Sequence, residues 1–90
     1  MEGNVESFGN IRVEGKVTGT IRTKSKVAIG DSAHIEGSIL AQNAEIAGYV
    51  KGTVEVSDIL VLKATAQIHG DIITNKLVVE PGASFNGLCK

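Results

Sequence analysis

Five copies of one short pattern follow one another at intervals of 15 to 18 residues in this chain of 90 residues: an apolar residue, any residue, glycine, any residue, and a second apolar residue. The copies start 18, 15, 18 and 17 residues apart. They occupy residues 17–21, 35–39, 50–54, 68–72 and 85–89. A repeat this short cannot bury an apolar face alone, so the pattern predicts a wound chain in which each coil stacks on the last.

A second apolar pair precedes each copy of the pattern. The pairs are Ile11 and Val13, Val27 and Ile29, Ala44 and Ile46, Leu60 and Leu62, and Leu77 and Val79. Apolar and polar residues alternate with period 2, and the apolar ones are mostly Val and Ile, which is typical of β-strands. No window holds the spacing of an amphipathic helix.

The sequence therefore predicts an all-β fold, a single-stranded right-handed parallel β-helix of about five to six coils with 15–18 residues per coil. The right hand is favoured because left-handed β-helices keep a strict six-residue period, which spacings of 15 and 17 break. Strict alternation places the repeat glycines on the inward side, where the backbone would bend too close to the axis for a Cβ.

Composition and motifs argue against several classes of site. The net charge is −1 with both signs interspersed, so no nucleic-acid surface is predicted. Around Gly15 and Lys16 the chain lacks the spacing of a phosphate-binding loop, and no cofactor is predicted. The spacing predicts an outward column made of Thr18, Glu36, Lys51, His69 and Asn86. His34 falls in a different column from His69, so we expect both to be outward polar residues rather than metal ligands.

The cysteine content and the length of the apolar runs bear on where in the cell the protein lies. Cys89 is the single cysteine and takes the place of Ile72 in the repeat, so a small buried apolar residue is favoured over a reactive thiol. The longest apolar run, residues 59–62, is too short to cross a membrane. These features predict a cytoplasmic protein.

Two segments resemble the bactofilin family. Residues 29–39 (IGDSAHIEGSI) and 68–89 (IHGDIITNKLVVEPGASFNGLC) carry the resemblance, and the Gly-Asp-Ile-x-Thr run followed by Glu-x-Gly-Ala-x-Phe-x-Gly is its most specific part. On this resemblance the chain divides into a flexible N-terminal segment, 1–7, and a bactofilin-like β-helix domain, 8–90.

The resemblance implies a bacterial cytoskeletal scaffold that polymerises without nucleotide into non-polar filaments and has no enzymatic activity. Its implied partners are copies of itself and proteins of envelope synthesis or chromosome segregation, and its implied roles are in cell shape, envelope growth or chromosome organisation. Attachment to the inner face of the cell membrane stays open, since residues 1–8 are short and acidic here.

The two ends of the predicted solenoid are candidate contact surfaces. An end coil exposes unpaired backbone groups over an apolar cross-section, and neither end of this sequence shows a polar cap. We expect polymerisation interfaces made of Phe85, Leu88 and Cys89 on the C-terminal face, and of Val5, Phe8 and Ile11 on the N-terminal face.

A lateral contact and two other function classes also follow from the pattern. Ile59, Val61, Ile73 and Val78 form a candidate apolar patch, unless the run 59–62 changes register and buries Val61. The alternatives to a polymer are a left-handed β-helix acyltransferase and a discrete solenoid that binds a ligand on a flat face. The first needs a six-residue register and the second a regular threonine ladder.

Overall fold

The computed structural model describes residues 2–89, and within that range it contains eight strands and no helix. The strands are β1 (Glu2–Ser7), β2 (Ile11–Val13), β3 (Lys16–Thr23), β4 (Lys26–Ile29), β5 (His34–Ile46), β6 (Tyr49–Leu62), β7 (Gln67–Val79) and β8 (Ser84–Asn86). They stack in the order β1-β3-β5-β6-β7-β8, with β2 and β4 leading into β5 on another side. Every paired strand is parallel to its neighbour, so the predicted all-β parallel solenoid is confirmed, with about five turns.

The register of the sheet follows the sequence repeat. Each repeat glycine lies opposite the next one, and the outward column predicted from the spacing also forms: Thr18, Glu36, Lys51, His69 and Asn86. Because side chains alternate between faces, one register brings all apolar columns to the inside together.

The core is a set of aliphatic columns that run along the axis. One column contains Ile21, Ile39, Val54 and Ile72, and none of these side chains is exposed to solvent. Burying each such side chain stabilises the fold by roughly 1.5–3 kcal/mol relative to leaving it exposed. Most of this burial comes from the neighbouring coils, because a single coil is only one strand deep along the axis and cannot cover its own side chains.

The glycine column has a different cause from the predicted one. Gly52 has a φ of +138°, which L-residues rarely adopt, and a Cβ built there would collide with the carbonyl oxygen of Gly37 on the preceding coil. The restriction therefore comes from the coil next along the axis, whereas the sequence predicted crowding in the core.

The sheet begins earlier than the predicted boundary at residue 8. Residues 2–7, expected as a flexible segment, form β1 and pair with β3. Gly3 lies opposite Gly19 and Val5 opposite Ile21, because the sequence of residues 1–5 is a further copy of the pattern that starts 16 residues before the copy at 17–21.

Outside the core, a ladder of opposite charges links successive coils. The Glu45 carboxylate forms salt bridges with the Nζ atoms of Lys26, at 3.0 Å, and of Lys63, at 3.2 Å. The Nζ atom of Lys63 also lies 3.4 Å from the carboxylate of Glu80. Hydrogen bonds from the two lysines hold the pKa of Glu45 below its usual range, and the two glutamates raise the pKa of Lys63.

Candidate functional site

The N-terminal end of the solenoid is built from β1, β2 and the turn between them. Val5 and Ile11 are half-buried and pack against the core, on top of Ile21 and Val27 respectively. The outer edge of β1 pairs with no strand of residues 2–89. Two of the three residues predicted for the N-terminal face, Val5 and Ile11, therefore belong to apolar columns.

Phe8 lies at the rim of this end. Its side chain is 82 % exposed, and the Nζ atom of Lys24 lies 5.3 Å from the ring centroid. The turn that carries it is tied down by Thr23, whose buried hydroxyl donates a hydrogen bond of 2.6 Å to the carbonyl oxygen of Gly9. The structure therefore places Phe8 beside the N-terminal face, outside the apolar cross-section formed by Val5 and Ile11.

The C-terminal end is covered over only part of its circumference. β8 pairs with Gln67, Ile68 and His69, and a single bridge joins Ile72 to Cys89. From residue 73 to residue 79, β7 pairs with β6 on one side and with no described strand on the other. This leaves a seven-residue edge with unpaired backbone groups.

The side chains predicted for the C-terminal face lie around this opening. Phe85 is half-buried and packs against the core above Ile68, and Leu88 is 61 % exposed. Cys89 keeps its place in the column above Ile72 but is exposed, because no described coil covers it. The expectation that Cys89 is buried is wrong for this reason.

Sequence reasoning missed two members of the C-terminal face. Leu77 stacks above the fully buried Leu60, and Val79 stacks above the fully buried Leu62, yet Leu77 is half-buried and Val79 is 52 % exposed. Both belong to the last of the apolar pairs that precede the copies of the pattern. The signal that identifies them is position within the column, since each is the last residue of its column.

The lateral apolar residues divide between two sides. Val61 is half-buried and stays in the outward column between Glu45 and Val78, so the run 59–62 does not bury it. Ile59 lies two residues away on the same strand, but Ile73 pairs with Glu55 on the other side of an irregularity in β6. The register therefore groups Ile59, Val61 and Val78, and it separates Ile73 from them.

The sequence did not predict an aromatic stack that lies at the start of β5, β6 and β7. The rings of His34 and Tyr49 stack with centroids 4.4 Å apart, and His69 tilts against Tyr49 at 5.4 Å. A hydrogen bond from His34 keeps the pKa of Glu36 below its usual range, with nearby lysines acting in the same direction. Tyr49 separates the histidines, and residues 2–89 contain no group of three or more side chains placed to hold a metal ion.

The part of the chain from residue 2 to residue 89 also contains no helix long and apolar enough to span a membrane. The geometry offers two apolar ends with open strand edges and a mostly polar side wall. Chemically, this arrangement suits contact with another strand-bearing surface at each end.

Comparison with known proteins agrees with this geometry. The whole chain, residues 1–90, matches the family model described as "Bactofilin: Polymer-forming cytoskeletal". Bactofilin BacO of Myxococcus xanthus (strain DK1622) is 33 % identical over 87 residues, which cover 97 % of this chain and 69 % of BacO. Bactofilin BacP of the same organism is 23 % identical over 87 residues, which cover 97 % of this chain and 36 % of BacP.

No solved structure matches the chain significantly. The family match over the full length and the identity to BacO nevertheless agree with the β-solenoid. The chain therefore belongs to the bactofilin family of polymer-forming cytoskeletal proteins.

Proposed function

We propose that this chain is a bacterial cytoskeletal scaffold whose copies assemble end to end into non-polar filaments without nucleotide. The observation that carries the proposal is that apolar columns fully buried in the middle coils end half-buried or exposed at both ends. Soluble repeat proteins close such ends with polar caps.

The two ends differ from the side wall in backbone as well as in side chains. β1 and residues 73–79 of β7 each have an edge that pairs with no described strand. An exposed edge of this kind is a template for another strand. Contact between ends satisfies the backbone groups and covers the apolar columns in one step.

A non-polar filament follows when each end binds its own kind. Contacts between two N-terminal faces and between two C-terminal faces each have two-fold symmetry, and their alternation gives a filament with identical ends. Val5 and Ile11, with Phe8 at the rim, form the N-terminal contact. Phe85, with Leu88 and Cys89, forms the C-terminal contact. No step in this scheme uses nucleotide hydrolysis.

The cellular role is proposed from the family alone. As a cytoplasmic polymer, the protein supports cell shape, envelope growth or chromosome organisation, and proteins of envelope synthesis or chromosome segregation are its proposed partners. Association with the inner face of the cell membrane belongs to the same proposal. The grouped side chains Ile59, Val61 and Val78 are a lateral surface on which filaments could bundle.

The test is negative-stain electron microscopy of Phe85→Arg beside the wild type. The charged side chain is expected to abolish filaments because it cannot be desolvated at the junction, while far-UV circular dichroism keeps the β signal of the wild type. Ser57→Arg, which adds the same charge at an exposed lateral position, serves as the control and should still polymerise. A folded Phe85→Arg protein that still forms filaments contradicts the assignment.

A further inference from the structure

We infer that the two kinds of junction are unequal, and that two C-terminal faces join more tightly than two N-terminal faces. The inference rests on the proposed end-to-end assembly and adds an order to it. A dimer joined through its C-terminal faces is the unit from which the filament grows.

Exposed apolar surface is concentrated at the C-terminal end. Five large apolar side chains among residues 2–89 are exposed, and four of them lie between residues 73 and 88. Of these four, Val79 and Leu88 belong to the end face, whereas Ile73 and Val78 lie on the side wall of the same coil. At the other end only Phe8 is exposed, while Val5 and Ile11 already pack against the core. Because the free energy gained scales with the apolar area removed from water, the C-terminal junction gains more.

The open backbone edge at the C-terminal end is also suited to pairing. Residues 73–79 of β7 carry one charge, Lys76, and include the end-face side chains Leu77 and Val79. A two-fold axis across the junction makes the facing strands antiparallel, so the edges of two copies can pair with each other. Antiparallel pairing satisfies the free N–H and C=O groups of both copies.

The edge strand at the N-terminal end is charged instead. Glu2 and Glu6 of β1 are exposed and lie on the same outward side of the strand. A two-fold contact brings these carboxylates of both copies to one junction, and charged side chains on an edge strand oppose pairing. Arg22, opposite Glu6 on the next coil, offsets part of this repulsion.

The experiment uses single-cysteine reporters at the two ends. The wild-type chain, with Cys89 as its single cysteine, reports on C-terminal contacts, and the double variant Cys89→Ser/Asn4→Cys reports on N-terminal contacts, since Asn4 is exposed near the middle of β1. Each protein is diluted stepwise, treated with a short bismaleimide and analysed by gel, with electron microscopy at each concentration. Cys89→Ser/Ser57→Cys is the lateral control.

The Cys89 reporter should give cross-linked dimers at concentrations where filaments have disappeared and the Asn4→Cys reporter gives monomers. We expect the concentration for half-maximal trapping to be at least about tenfold lower at the C-terminal end, a difference of about 1.4 kcal/mol. Filaments whose two reporters lose cross-links at the same concentration, or whose N-terminal reporter persists longer, overturn the inference but leave the proposed function intact. Folded protein that gives neither filaments nor end-specific cross-links overturns both.

Discussion

The middle coils and the end coils of this solenoid have the same register but differ in burial. Leu62 in the middle is fully buried, whereas Val79, directly above it in the same column, is 52 % exposed. Ile72 and Cys89 show the same contrast. The side-chain direction is the same in each pair, and the difference is whether a further coil covers the residue. A coil is therefore completed by its neighbours, and within residues 2–89 each end coil has a neighbouring coil on one side.

The contrast also explains how a chain with few aromatic residues can form a stable fold and still associate. Parallel stacking hides the aliphatic columns of the middle coils and satisfies their backbone. The same stacking cannot close itself at either end, in contrast to a barrel. Under the proposed assembly, stability and self-association have one physical origin in this molecule.

The largest expected effect compares two glycines of one column. Gly52→Ala should lower the free energy of unfolding by about 4 kcal/mol or more, because a φ of +138° is strained for alanine and the Cβ collides with the backbone of Gly37. Gly3→Ala, at a φ of +115° with nothing within 4 Å of the added Cβ, should cost only about 1–2 kcal/mol. Urea unfolding measures both, and equal losses contradict the role assigned to the neighbouring coil.

Two leucines of another column make the next comparison. Leu60→Ala should cost about 3 kcal/mol of unfolding free energy, because it leaves a cavity among fully buried side chains. Leu77→Ala removes the same atoms at the half-buried end of the column and should cost less than half as much. It should instead raise the concentration needed for filaments, as measured by sedimentation. A Leu77→Ala chain that is as destabilised as Leu60→Ala goes against the distinction between middle and end.

A smaller effect concerns the hydrogen bonds that hold the turn at the N-terminal end. Thr23→Val should cost about 1–2 kcal/mol, because it leaves the Gly9 carbonyl and the Ser25 amide without the hydroxyl that bonds to both. Thr53→Val, in an outward column, is the matched control and should change the free energy by less than about 0.5 kcal/mol. Thermal unfolding followed by circular dichroism compares the two, and a neutral Thr23→Val would show that the turn does not depend on this hydroxyl.

The smallest effect comes from the charge ladder on the side wall. The pKa of Glu45 is lowered in the folded state, so its stabilisation is present above the ordinary glutamate pKa and is lost as the pH falls through the lowered value. Glu45→Gln should cost at most about 1 kcal/mol at neutral pH, since solvent screens the pair, and should make stability less dependent on acid.

Urea unfolding at neutral pH and at about pH 3 measures that dependence. Glu55→Gln changes an exposed glutamate for which the described residues provide no ion pair, and it serves as the control. If the unfolding free energies of Glu45→Gln and Glu55→Gln depend on acid to the same extent, the charge ladder adds no more stability than a single exposed carboxylate.

Much of the fold could be predicted because the repeat fixes the register. The spacing correctly predicted the outward column from Thr18 to Asn86, since an error of one residue would turn every apolar side chain outward. The reason for the glycines was misassigned, because alternation along one strand contains no information about the carbonyl group on the coil beneath. β1 was missed because its copy of the pattern, residues 1–5, begins with methionine, whereas the other copies begin with Val, Ile or Phe.

Less of the candidate site could be predicted. Phe85, Leu88 and Cys89 were predicted for the C-terminal face because they lie late in the chain, whereas the pattern gave no reason to add Leu77 and Val79, which no described coil covers. Such exposure depends on how far β8 extends over β7, which the pattern does not encode. The stacking of Tyr49 between His34 and His69 depends on ring orientation, and a register alone cannot provide it.

The central claim is that the two ends of this solenoid bind other copies of the same chain without any cofactor. Negative-stain electron microscopy of the purified chain at neutral pH, without nucleotide or metal, tests it most directly. The account predicts long filaments a few nanometres wide, with the coils stacked along the filament. Uniform single particles at every concentration would contradict it.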